Sequence, residues 1–325
     1  MIKGLESKRH IKLNQQLQSF NDLRYVIIKY DEYFEGKVDI KIDIFRKGGK
    51  KSISGKISNQ SVKFMKVLSE DRVAIVMEND CDIKIINLRD ENRDFTLKGH
   101  KDDINHLCIV SNNLIVSSAD DNLVILWDLE KGRGLVLLQD QRVNNLTFIS
   151  NILVFTTHFN DIIIYNIESR KIIHQLNLRL RVTSLIAISS TKIVTGHNNL
   201  IKLWDITTMK EESRNNIGDI VTNTFNIPKS ESILVVTEKS IDIIDLKNKL
   251  YLYSNQLISF HVTDGVLFSE NKIILSSLQG NLKMLNYETY TEEVFFESGF
   301  IRAVDTLSDK RIISGGWDRY LKIWS

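Results

Sequence analysis

Short apolar runs separated by polar turns recur along the chain, and their spacing is its strongest signal. Aligned on one such run, similar segments end at Phe45, Ile86, Trp127, Tyr165, Trp204, Ile244, Leu285 and Trp324, a period of 38 to 41 residues. A helical bundle has no reason to keep that period. A second apolar run precedes each segment across a short turn, as at residues 114–116 and 273–275, which predicts hairpins. One further strand precedes each hairpin and one follows it, for example at residues 95–98 and 171–176, so each period predicts four strands. The period is regular over residues 57–325. Before that, an apolar run at residues 25–30 and the alternation of Val38, Ile40, Ile42 and Ile44 predict another hairpin, whereas Leu13, Leu17, Phe20 and Arg24 follow helical spacing.

Residues 99–129 begin with Gly99-His100 and end just after Trp127-Asp128. Spacing and dipeptides together resemble one unit of a WD-repeat β-propeller, whose blades are four-stranded antiparallel sheets. The resemblance implies an all-β, closed β-propeller of four-stranded antiparallel blades formed by residues 1–325 as a single domain. Eight blades are expected, with residues 1–56 supplying the first blade and a closing strand; the alternative is seven blades plus an N-terminal extension. In such propellers the outer strand of the last blade comes from the chain's other end. That strand is residues 5–13 if eight blades follow and 51–57 if seven do.

The same resemblance places His100, Ser117, Asp121 and Trp127 at the four positions of a buried hydrogen-bond network. Asp121 accepts from His100, His100 engages the Ser117 hydroxyl, and Ser117 takes the Trp127 indole N–H. A buried polar chain of this kind is tolerable only when every member is satisfied. Histidine, serine and aspartate are also the residue types of a hydrolase triad, but Ser117 falls on a strand, with no strained elbow and no oxyanion-forming glycine turn. No catalytic residue is assigned. In the last repeat Ser314, Asp318 and Trp324 match three network positions, and Phe300 follows Gly299 where histidine would stand.

Composition narrows the function classes. The chain has 43 Lys and Arg against 41 Asp and Glu, which gives no field broad enough for generic nucleic-acid binding. Cys81 and Cys108 lie in strand-like runs without metal or redox spacing and read as small buried hydrophobes of a reducing compartment. No secretory leader opens the chain and no apolar run is long enough to form a transmembrane segment, so a cytoplasmic or nuclear protein is expected. The histidines are scattered and no phosphate-cradling or dinucleotide motif occurs, so neither metal nor cofactor is expected. Arg46, Lys47, Lys50 and Lys51 surround Gly48-Gly49 and, with Phe45, loosely resemble the Phe-Arg-Arg-Gly signature of phosphoinositide-binding propellers. Lysine replaces the second arginine there. A solvated turn is the plainer reading, with an anionic lipid as the lesser one.

Propellers of the resembled family usually hold partners on the face that carries the turns before the first strand and between the second and third. Carried over repeat by repeat, the partner-binding positions are Asn105, Asp120, His158, His197, Arg302 and Trp317. A tryptophan in the polar turn Gly315-Gly316-Trp317-Asp318-Arg319 is the residue of this set least suited to a core, and Trp and Arg are the types most enriched in binding hot spots. The expected function is therefore a non-enzymatic scaffold that binds a peptide or protein partner within a multiprotein complex. A ubiquitin-ligase substrate receptor, a phosphoinositide-binding propeller and, less favoured, a propeller enzyme are the alternatives. No F-box-like segment precedes the repeats, and no repeat ends in the Trp-Asp-x-Arg pattern of ligase adaptors.

Overall fold

The second strand of each repeat is apolar on both sides, as in Arg72–Met77 and Ser232–Thr237, and is buried almost throughout. A strand with no polar face must be covered from both sides, so repeats of this kind stack face to face around a ring. In the computed structural model they do so as seven sheets. The structure describes residues 30–32, 38–40, 43–47, 50–56, 60–227, 232–248, 250–256, 261–297 and 300–324.

Blade 1 consists of Val62–Val67, Arg72–Met77, Ile83–Asn87 and Phe95–Leu97, each antiparallel to the next. Blades 2 to 6 repeat that order over residues 104–138, 143–177, 184–216, 221–256 and 262–297. Blade 7 takes three strands from the end of the chain, Ile301–Thr306, Ile312–Gly316 and Tyr320–Trp324. Its outer strand is Lys50–Lys56, with Ile53 opposite Ile323 and Gly55 opposite Leu321.

The expectation of eight blades is therefore corrected to seven. Lys50–Lys56 pairs with Tyr320–Trp324 along one edge and with Asp43–Lys47 along the other, so the segment ending at Phe45 becomes a fifth strand of blade 7. Tyr30–Glu32 and Val38–Ile40 form a separate two-stranded sheet. Pairing the edge of Tyr320–Trp324 removes an open ladder of backbone donors and acceptors. The basic residues Arg46, Lys47, Lys50 and Lys51 pair across these two strands, Arg46 opposite Lys51 and Lys47 opposite Lys50. The helical spacing over 13–24 and the closing strand expected at 5–13 lie outside the described residues.

One apolar cluster occupies each of the seven boundaries between neighbouring blades. Between blades 7 and 1 it contains Val62, Met65 and Ile75 against Ala303, Ile313 and Ile323. The first strands follow one another in contact around the ring, from Val62–Val67 through Ile301–Thr306 and back to Val62–Val67. None of the seven sheets closes on itself, so packing completes the ring, at about 1.5–3 kcal/mol for each large apolar side chain removed from water. Burial falls off outward, and the outer strand Lys171–Asn177 is almost wholly exposed.

Candidate functional site

In blade 2 the Trp127 indole donates to Ser117 Oγ at 2.8 Å, and Ser117 Oγ lies 2.7 Å from His100 Nε2. His100 Nδ1 lies 2.9 Å from Asp121 Oδ2, which also accepts the Lys101 amide. The chain is satisfied throughout when Ser117 donates to a neutral His100 that donates in turn to Asp121. Gly99 is required by the same packing, since a Cβ there would stand 2.9 Å from the Trp127 ring. Ser117 is fully buried and its oxygen is engaged on both sides, so this trio offers no nucleophile to a substrate.

Blade 4 builds an equivalent chain from different positions. Trp204 donates to Thr195 Oγ1 at 2.9 Å, Thr195 lies 3.0 Å from His197 Nε2, and His197 Nδ1 donates to the Arg181 carbonyl at 3.0 Å. His197 is only 2% exposed, which corrects its assignment to the partner-binding face. Leu178 stands at the position of His100, so the histidine comes from the turn instead and the Arg181 carbonyl replaces the aspartate. Burial lowers its pKa. In blade 7 only the Trp324–Ser314 bond remains, at 2.8 Å, and Asp318 pairs with Lys322.

The face itself is shaped by a β-bulge repeated in six blades. Near the start of each first strand one extra residue is inserted opposite the second strand: Lys63, Asn105, Asn144, Thr222, Thr263 and Arg302. Bulges re-aim a side chain at a sheet end, and here they turn polar groups toward neighbouring blades. Arg302 of blade 7 pairs with Glu78 of blade 1. Lys63 of blade 1 reaches Asp103 at 3.6 Å and Asn105 at 3.4 Å in blade 2. Asn105 donates to Asp120 at 2.6 Å, and Asp120 pairs with Arg142 of blade 3 at 2.9 Å. Asn105 and Asp120 are thus links in a lattice across three blades, and Arg302 is neutralised by Glu78 rather than stacked on Trp317.

Trp317 instead packs against Phe300, ring centroids 5.1 Å apart, with the Trp317 amide donating to the Phe300 carbonyl at 3.0 Å. The approach is so close that a Cβ on Gly316 would lie 1.8 Å from the Phe300 oxygen. Both rings stay about half exposed, 50% for Phe300 and 46% for Trp317. Trp317 and Arg302 line the mouth of a central cavity of about 660 Å³. His158 lies apart from them, in a second recess of about 590 Å³ between blades 3 and 4.

Asp264, Lys66 and His106, ionisable groups that the spacing of the repeats did not mark, line the central cavity. Burial raises the pKa of Asp264 and Asp305, yet each carboxylate joins two blades, Asp264 accepting the Val304 amide at 3.2 Å and Asp305 the Val67 amide at 2.7 Å. Burial alone would lower the Lys66 pKa, but the two carboxylates raise it. Burial also pushes the Cys108 thiol up to about 12 and His106 down to about 4. The alternation of the first strands was the available signal for these positions. Asp80, Cys81 and Asp82 bring three potential metal donors within 4.8 Å of one another among the described residues. Asp82 is already paired with Lys98 at 3.4 Å, and Asp80 accepts the Asp82 amide.

The family model for the WD domain, G-beta repeat, matches residues 92–128 and 291–325, in blades 1, 2, 6 and 7. Two stretches of the chain thus match the WD repeat, and the fold that carries them is a β-propeller. The propeller is similar in structure to the WD40 beta propeller domain of Doa1, with a TM-score of 0.72 and 17% identity over 84% of this chain and 95% of that one. At that identity the likeness is one of fold. A comparison with curated proteins finds no match. No helix among the described residues is long and apolar enough to cross a membrane.

Proposed function

We propose that the propeller is a non-enzymatic platform that binds a polypeptide partner over the mouth of the central cavity, with Phe300 and Trp317 as the anchor. The observation that carries this reading is the aromatic pair itself. Two large rings are held half exposed at a fixed separation by a backbone hydrogen bond and a glycine contact, on a face otherwise laced by ion pairs. Rings ordered before binding bury area at little further entropic cost. Arg302, Asn105, Asp120 and His158 supply a polar surround, and the propeller contributes its face to a larger assembly.

The partner captured from the native source is titrated calorimetrically against wild type and Trp317→Ala. The substitution is expected to weaken binding by at least about 2 kcal/mol, more than about twentyfold, while thermal melting moves little. Asn79→Ala, in the turn between the second and third strands of blade 1, is expected to change binding less. Normal binding by Trp317→Ala, or loss only in step with lost folding, would move the interface to the rim or the opposite face.

A further inference from the structure

The ion-pair lattice of the binding face stops at blade 3. Arg142 gives one guanidinium nitrogen to Asp120 and remains half exposed, and it forms one wall of the recess between blades 3 and 4. Arg181 forms the facing wall; among the described residues its side chain has no hydrogen-bond or ion-pair partner. His158 stands exposed at the rim, beside Phe159, which is 77% exposed with its ring edge-on to the imidazole at 6.2 Å. Thr183 also lines the recess, with its Oγ1 buried and without a hydrogen-bond partner among the described residues. No carboxylate lines the recess. Two guanidiniums and an imidazole line a space without an acceptor of matching charge.

We propose that this recess binds a phosphate monoester carried by a side chain of the polypeptide partner. A phosphate offers three acceptor oxygens and nearly two negative charges at neutral pH, enough to engage both guanidiniums, where a carboxylate has two oxygens and one charge. Arginine's planar fork is suited to such oxyanions in a way that an ammonium is not. The recess is larger than a free phosphate needs, and Phe159 gives the residue next to the phosphate an apolar ledge. Overall charge is near balance, so a local anion site and not a general polyanion surface is what the molecule offers. The assignment rests on the platform reading for the nature of the carrier, and its test is independent of any captured partner.

N-acetyl-O-phosphoserine amide, N-acetylglutamate amide and inorganic phosphate are titrated into the full chain by calorimetry. The phosphoserine probe is expected to bind at least tenfold more tightly than the glutamate probe. Arg181→Ala should reduce that affinity at least tenfold without lowering the melting temperature, because the side chain it removes holds nothing in the fold. Lys239→Ala, on blade 5 and paired with Asp219, is the control that leaves probe affinity unchanged. Equal affinity for the two amino-acid probes, or undiminished binding by Arg181→Ala, overturns the proposal. So does Arg181-dependent binding to phosphatidylinositol-4-phosphate vesicles without binding of the phosphoserine probe. The probes carry no group for Phe300 and Trp317, so a negative result here leaves the Trp317→Ala experiment standing, and the reverse also holds.

Discussion

His106 projects from the first strand of blade 2 into the central cavity, stacked on Phe64 at 6.2 Å. Burial holds its folded pKa near 4, against 6.5 for the free side chain, with Lys63 acting in the same direction and a hydrogen bond to the Asn144 backbone opposing them. The unfolded chain therefore takes up the proton first. Above pH 6.5 neither state carries it and the contribution is constant; as pH falls from 6.5 toward 4 the folded state loses ground, by roughly 3 kcal/mol over the full window. His197, whose pKa is also lowered, adds to the same side. Asp264 and Asp305, with raised pKa values, act in the opposite sense above pH 3.8, since the folded state then takes up their protons first. Denaturant unfolding at pH 7.5 and pH 5 is expected to show a smaller loss of stability for His106→Gln than for wild type. An identical pH dependence in both would remove His106 from the account.

At the scale of the blade, the buried tryptophan chains are interchangeable units assembled from different sequence positions. His100→Ala leaves Asp121 and Ser117 underpaired, and His197→Ala leaves Thr195 and the Arg181 carbonyl underpaired. Each is expected to cost about 1–3 kcal/mol of stability and to leave binding of a captured partner unchanged below the melting temperature. Melting scans beside a binding titration check this, and unchanged melting with lost binding would show that a ring acts at the face. The pair also shows what was legible in the residues. Gly99-His100 and Trp127-Asp128 sit at full motif spacing, so the blade 2 chain could be traced position by position. His197 occupies the turn position that faces outward in other repeats, and only the loss of the upstream histidine, with Leu178 in its place, signals that the ring folds inward. The bulges at Lys63, Asn105, Asn144 and Arg302 leave no mark in apolar alternation, because the inserted residue is polar in a stretch where polar residues already occur. For the same reason the pairing of Arg302 with Glu78, distant in sequence, was beyond the reach of local pattern.

The whole molecule depends on how its two ends meet. Period alone gave eight similar segments, and nothing local distinguishes residues 43–47 from the third strand of a blade; the choice is made by the edge of Tyr320–Trp324, which captures Lys50–Lys56 and leaves the earlier segment to pair outside it. In Lys50–Lys56, Ile53 stands opposite Ile44 on one side and Ile323 on the other. Proline there removes an amide from the ladder and is poorly tolerated in a strand paired on both edges. Ile53→Pro is therefore expected to lower the melting temperature, and deletion of residues 1–56 to do so further and to drive association through the bared edge of blade 7. Size-exclusion chromatography with light scattering, read beside thermal melts, measures both effects. A synthetic peptide of residues 43–57 added to the truncated chain should restore a monomer and raise its melting temperature, which separates loss of the strand from general damage. A truncated chain that stays monomeric and melts like the full one would mean that packing of Val62, Met65 and Ile75 on Ala303, Ile313 and Ile323 holds the ring without the strand exchange.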